Sequence, residues 1–279
     1  MAPDAGPPRR RRRLGRWCAF AVLALTLLHG CAVLARVPIS WPFDAVINAG
    51  FAPSEPDLKA PADGKRRLCV LLHGLWRTSA ALGRLERTLR AHGYEVANVD
   101  YASLAETIEQ AAARLHDEVE RRHARPVDEL CFVGHSMGGL VIQEYLRRAD
   151  ARVPTRCVYL ATPHRGAILA DLRKHWFLFR LVMGDQAALQ LSPGAPLHQR
   201  PIPWPERAGA LVGTLGAGNA SIPGDDDGTV GVAEAVLPGA AAVAVLPFGH
   251  TRMGMHPDVC RQVLHFLRRG AFAATGSER

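Results

Sequence analysis

No Cys-x-x-Cys pair and no Cys/His spacing of the kind that holds zinc occurs in the 279 residues, so neither a structural metal nor metal-dependent chemistry is expected. No internal repeat or low-complexity tract dominates, which argues against a solenoid or a disordered chain. Nor does the body of the chain carry a basic stripe with interleaved aromatics. The net charge of +8 therefore does not read as a nucleic-acid signal. Its distribution says why: the first sixteen residues hold six arginines against Asp4, a surplus of +5, which leaves +3 for everything else. The last absence is local. Residues 17–35 contain no charged side chain.

What is present suits one large domain with an appendage. Hydrophobic residues make up 48% of the chain, enough for a sizeable core. Residues 1–36 combine the arginine cluster with the uncharged run. Nineteen residues at 1.5 Å rise span about 28 Å, close to the hydrocarbon thickness of a bilayer. The first expectation is a signal-anchor or transmembrane helix, with the arginines in the cytoplasm and the body outside, on the periplasmic side of a bacterium. The second is a cleaved leader, giving a secreted protein, or a lipoprotein cut at Leu28-His29-Gly30-Cys31. The third is a buried helix. Residues 37–65 are proline-rich and read as a linker. Residues 66–279 form the body.

Six cysteines are scattered through the chain. Cys18 and Cys31 lie in the apolar segment, Cys69, Cys131 and Cys157 in expected strands, and Cys260 in an expected helix. They read as small buried hydrophobes, and no pair is selected for a disulfide.

Along the body, strands alternate with helices. Expected strands cover residues 68–72, 94–99, 130–133, 156–161, 210–215 and 241–246, and expected helices cover 79–91, 104–122, 138–148 and 256–269. This alternation predicts an α/β fold with a mostly parallel sheet flanked by helices, and ligands at the carboxyl ends of the strands. Residues 164–205 break the pattern with a strongly apolar stretch, 176–183, and a proline-rich one. They read either as a lid-like cap over the site or as an ordinary core helix.

The chain is organised around Gly134-His135-Ser136-Met137-Gly138, which follows a strand and opens a helix. A G-x-S-x-G turn in that context lifts a serine hydroxyl clear of the sheet. A side chain at Gly134 or Gly138 would collide with the neighbouring strand or helix. A serine needs a base, and the base needs an orienting acid. His250 stands directly after the last strand, where a loop can carry it over the sheet. His256 and His265 fall at or inside a helix, and His135 points away on a tight turn. The acid must lie between Ser136 and His250. Asp225-Asp226-Asp227-Gly228 is the acidic turn there, while Asp171, Asp185 and Glu234 are worse placed.

These landmarks make the sequence similar to α/β-hydrolases of the bacterial lipase/esterase type. Leu72-His73-Gly74-Leu75, Gly134-His135-Ser136-Met137-Gly138-Gly139, Thr162-Pro163-His164-Arg165-Gly166, Asp227-Gly228-Thr229-Val230 and Gly249-His250-Thr251 appear in the family's order over residues 66–270. The resemblance implies Ser136, His250 and Asp227 as a triad. It implies the N–H groups of Leu75 and Met137 as an oxyanion hole, with His73 and Gly74 shaping that loop. The implied reaction is cleavage of an acyl or lipid ester without metal or organic cofactor. Acyl transfer and amide or thioester cleavage use the same triad, and a catalytically silent, membrane-tethered binding protein is the reading outside enzymology.

Overall fold

The apolar run after residue 66 resolves into two opposite faces. In the computed structural model, which describes residues 58–175, 185–214 and 218–274, β1 (Arg67–Leu72) is buried from end to end. Leu68, Val70 and Leu72 enter one core and Cys69 and Leu71 the other. A period of two along a strand covered on both sides has this consequence. The same split runs through β3 (Glu129–His135), where Leu130 and Phe132 oppose Cys131 and Val133.

Between these strands the chain makes α1 (Gly83–Ala91), β2 (Glu95–Val99) and α2 (Ile108–His123). The sequence suggests that α2 starts at 104. It starts later because Thr107 and Gln110 form a reciprocal capping box, with Gln110 N donating to Thr107 Oγ1 at 3.1 Å and Thr107 N to Gln110 Oε1 at 2.9 Å. That pair caps the first turn, while Ala105 N and Glu106 N both donate to the Ala102 carbonyl at 2.8 Å in a separate turn before it. After β3 come α3 (Met137–Leu146), β4 (Arg156–Leu160), α4 (Ile168–Arg173), α5 (Asp185–Gln190), β5 (Ala208–Gly213), α6 (Val232–Ala235), β6 (Ala242–Leu246) and α7 (Pro257–Arg269). β5 begins two residues before its expected start. Gly209 belongs to it through pairing with Val158 and Ala242, and glycine fits there because a β-carbon would sit 2.7 Å from the ring of Phe272 and 2.8 Å from that of Phe266.

The six described strands form one all-parallel sheet in the order β2-β1-β3-β4-β5-β6. One hydrophobic cluster joins α2 and α3 to one face, and a second joins α1 and α7 to the other. The order reverses between β1 and β3. Their carboxyl ends therefore open a crevice at the topological switch point, where ligands bind in such sheets. Leu72 pairs with Gly134 in the register, so the loop after β1 and the turn after β3 emerge side by side. β6 is an edge strand, with Val243 and Val245 exposed.

Leu58 is buried in the second cluster, so the end of the proline-rich segment lies against the body. The expected N-terminal hydrophobic helix falls outside the described residues, as do residues 176–184 of the expected cap. Among the described residues no helix is long and apolar enough to cross a membrane. Cys69, Cys131, Cys157 and Cys260 are free and buried, and burial pushes the Cys131 thiol up to about 12. They pack as small apolar side chains.

Candidate active site

The turn between β3 and α3 is tightly enclosed. A β-carbon on Gly134 would meet the Gly139 backbone at 2.5 Å, and one on Gly138 would meet the Leu72 carbonyl at 2.4 Å. Only glycine lets α3 and β1 approach the turn this closely. Between them Ser136 adopts φ 54° and ψ −126°, a conformation that side chains rarely take. Such a residue costs about 1–3 kcal/mol, which the surrounding packing must offset. Its N–H donates to the Leu160 carbonyl at 2.8 Å, pinning the turn to β4.

The Ser136 hydroxyl lies 3.0 Å from His250 Nε2, and His250 Nδ1 lies 2.7 Å from Asp227 Oδ2. With Nδ1 protonated and donating to the carboxylate, Nε2 is left to accept the serine proton. Asp227 is buried at 2% exposure, and both of its oxygens are hydrogen-bonded. Oδ1 accepts from Thr229 N at 3.0 Å and Val230 N at 2.7 Å. Gly228 makes this Asx-type turn with φ +92°. The chain thus brings together, from three loops, the serine, the histidine and the acid named from sequence.

The neighbouring aspartates differ from each other. Asp225 is exposed, but Asp226 is as buried as Asp227. Its two oxygens accept from Asn219 N at 2.9 and 2.8 Å, and Oδ1 also from Gly228 N at 2.6 Å. Asp226 folds the acid loop and does not reach His250. The signal for this was available: an Asp two residues before a glycine turn commonly bonds its own downstream backbone. Glu234 is occupied too, accepting from Ile168 N at 2.7 Å and Gly231 N at 2.8 Å. Asp171 pairs with Lys174 and Ser192 and not with His250. His256 and His265 serve the ends of α7: His256 Nδ1 accepts from Asp258 N at 3.3 Å, and His265 Nδ1 donates to the Ala271 carbonyl at 2.7 Å.

The loop after β1 packs against the serine. A β-carbon on Gly74 would lie 3.0 Å from Ser136 Cβ. His73 is fully buried and stacks on Tyr101 at 4.4 Å. Its Nδ1 donates to the Gly74 carbonyl at 2.9 Å, while the Tyr101 hydroxyl donates to the His73 carbonyl at 2.7 Å. These contacts fix the backbone leading to Leu75. Met137 is the first residue of α3, so its N–H lies at a helix N-terminus beside the serine, where helix dipoles favour negative charge. Among the described residues, no group of three or more His, Cys, Asp or Glu is placed to hold a metal ion.

Burial keeps several histidines near the site neutral. It lowers the His73 imidazole, lowers His135 far below its ordinary value, and takes His164 from 6.5 down to about 3. His164 accepts from Gln143 Nε2 at 2.6 Å inside the fold. A base whose folded pKa is depressed contributes stability that is complete above the unfolded value, 6.5, and declines as pH falls from there towards about 3. Each such histidine steepens the decline by up to about 1.4 kcal/mol per pH unit. Urea midpoints at pH 7.5 and 5.5 should therefore differ, with the lower value at pH 5.5. Equal midpoints would mean that these rings protonate in the folded protein.

This sheet order, with helices on both faces and a strained serine between β3 and α3, is the α/β-hydrolase fold. The chain belongs to the family described as "Domain of unknown function (DUF7379)", matched over residues 34–217. The match ends before Asp227 and His250. No curated protein matches the sequence significantly. Among solved structures, it is similar to the lipase BlEst2 of Bacillus licheniformis in its propeptide form, at 20% identity and a TM-score of 0.60, over 79% of this chain and 54% of that one. The chain thus spans about half the length of that protein. The metagenomic carboxyl esterase MGS0156 matches at 17% identity and a TM-score of 0.60, over 78% and 79% of the two chains. The RedJ thioesterase of the prodiginine pathway in Streptomyces coelicolor matches at 17% and 0.51, over 78% and 90%. At these identities the likeness is one of fold.

Proposed function

We propose that the protein is a serine hydrolase of carboxylic esters, acting through Ser136, His250 and Asp227. The observation that carries this reading is the unbroken hydrogen-bonded chain from the Ser136 hydroxyl through both nitrogens of His250 to the buried Asp227 carboxylate. Ser136 Oγ attacks the ester carbonyl while His250 Nε2 takes its proton. Asp227 holds the ring and stabilises the imidazolium. The carbonyl oxygen becomes an oxyanion facing the N–H groups of Leu75 and Met137, a stabilisation worth about 3–4 kcal/mol per donor in such sites. The tetrahedral adduct expels the alcohol, which leaves with the proton from His250. Water, deprotonated by the same ring, then releases the acid and regenerates Ser136.

Active-site labelling with a fluorophosphonate, followed by a panel of p-nitrophenyl esters and matching thioesters and anilides, tests the reading. Labelling at Ser136 and turnover of esters support it. Preference for thioesters or anilides would move the substrate class. Failure to label would favour a silent binding protein.

The apolar stretch 176–183 supports a substrate-facing cap and hence longer acyl chains. Replacing Trp176 and Phe179 with Ser should lower long-chain turnover more than short-chain turnover. An equal loss on both would return the segment to the core. The arginine cluster before the uncharged run 17–35 supports a membrane-anchored protein whose domain 66–279 works outside the cytoplasm. Full-length protein should sediment with membranes, resist carbonate extraction, and expose its body to protease from the periplasmic side. Recovery of intact protein in the soluble fraction would remove the anchor.

A further inference from the structure

His250 sits at one edge of the sheet. Its loop follows the edge strand β6, whose alternate side chains face solvent. A catalytic imidazole on such a loop must still be held within about an ångström of the serine, because misplacement on that scale can cost about 100-fold in rate. The His250 N–H is held by the Asp227 carbonyl at 2.8 Å. Its carbonyl is held by a side chain from the centre of the sheet: His135 Nε2 donates to it at 2.9 Å.

His135 is the last residue of β3 and the neighbour of Ser136. It is buried at 4% exposure, with its ring 4.9 Å from that of His250. Gly74 makes room for it, since a β-carbon there would come within 3.2 Å of His135 Nδ1, and Gly254 packs against the ring, where a β-carbon would stand at an ordinary contact distance of 3.5 Å. The ring therefore joins three loops: the one after β1, the turn after β3, and the one after β6. Burial and the adjacent His250 both keep it uncharged, so a single Nε2–H tautomer serves as the donor.

We infer that His135 is a positioning residue, which ties the peptide of His250 to the rigid central strand and so aims its imidazole at Ser136. It is not the base for Ser136, whose hydroxyl is bonded to His250 Nε2, while His135 Nε2 is turned to the His250 carbonyl. The inference rests on the ester-hydrolase reading above.

The experiment compares full-length wild type, Ser136→Ala, His135→Phe, His135→Gln and His135→Asn, with p-nitrophenyl butyrate turnover, fluorophosphonate labelling rate and thermal midpoint measured for each. His135→Phe keeps the ring and removes the donor. Its kcat and labelling rate should fall by about 10- to 100-fold, with KM unchanged. His135→Gln can place an amide N–H near the Nε2 position and should recover most of that loss. His135→Asn is too short to reach and should not recover it. Should His135→Phe fail to fold, the contrast between Gln and Asn carries the same test. Wild-type kcat in His135→Phe, or Gln no better than Asn, would overturn the positioning role while Ser136→Ala remained inactive. If Ser136→Ala is instead as active as wild type, or the wild type neither labels nor turns over, the hydrolase reading fails first and takes this inference with it.

Discussion

Ser136→Ala is expected to abolish ester turnover and fluorophosphonate labelling, with a loss on the order of 10⁶ in kcat, the scale at which a lone nucleophile deletion removes the contribution of the whole triad. The fold should survive. Alanine keeps the β-carbon, so the strained φ of 54° and the glycine-lined enclosure are unchanged. The thermal midpoint should stay within a few degrees. Ser136→Gly makes a sharper companion, because glycine tolerates this backbone conformation. It should be equally inactive yet more stable, by about 1 kcal/mol or more. An inactive but stabilised glycine variant would show that the turn stores strain for function. Activity retained in either variant would remove Ser136 from the chemistry.

Asp227→Asn should lose about 10⁴ in kcat while remaining folded. The carboxylate accepts the His250 Nδ1 proton at 2.7 Å. An amide presenting NH₂ there would force the ring into the opposite tautomer, leaving Nε2 protonated and unable to accept from serine. Its neighbours should respond in different ways. Asp225 is exposed, so Asp225→Asn should change little. Asp226→Ala should lose stability instead, by about 1–3 kcal/mol, because it strands the N–H groups of Asn219 and Gly228 that the buried carboxylate now satisfies. Measuring kcat and urea midpoint for the three variants separates the roles. A kinetic loss confined to Asp226→Ala at an unchanged midpoint would show that Asp226, not Asp227, is the acid.

The contrast between Asp226 and Asp227 shows how far the sequence is legible. Both stand just ahead of Gly228 in one acidic run, and local rules suggest backbone bonding for Asp226 without saying that Asp227 meets an imidazole 23 positions later. The resemblance to bacterial lipases names Asp227. The geometry of the loop adds that Asp226 is also buried, its charge spent on backbone N–H groups. His135 marks the limit more clearly. Its place beside Ser136 on a tight turn suggests a side chain directed away from the chemistry. It is directed away from the hydroxyl, and that direction leads to the carbonyl of His250.

By itself, the sequence determined the alternation of strands and helices, the parallel sheet, and the turn that carries Ser136. These follow from local rules: the apolar runs, the helical spacing and the paired glycines act within a few residues. Only the tertiary structure decided which partners meet. The strand order puts the β1 loop beside the Ser136 turn at the switch point. Packing then brings Asp227, His135 and His250 from separate loops to hydrogen-bonding distance. Those contacts depend on how the sheet is ordered and on which loop backbones can approach closely, and neither quantity is written in any one segment.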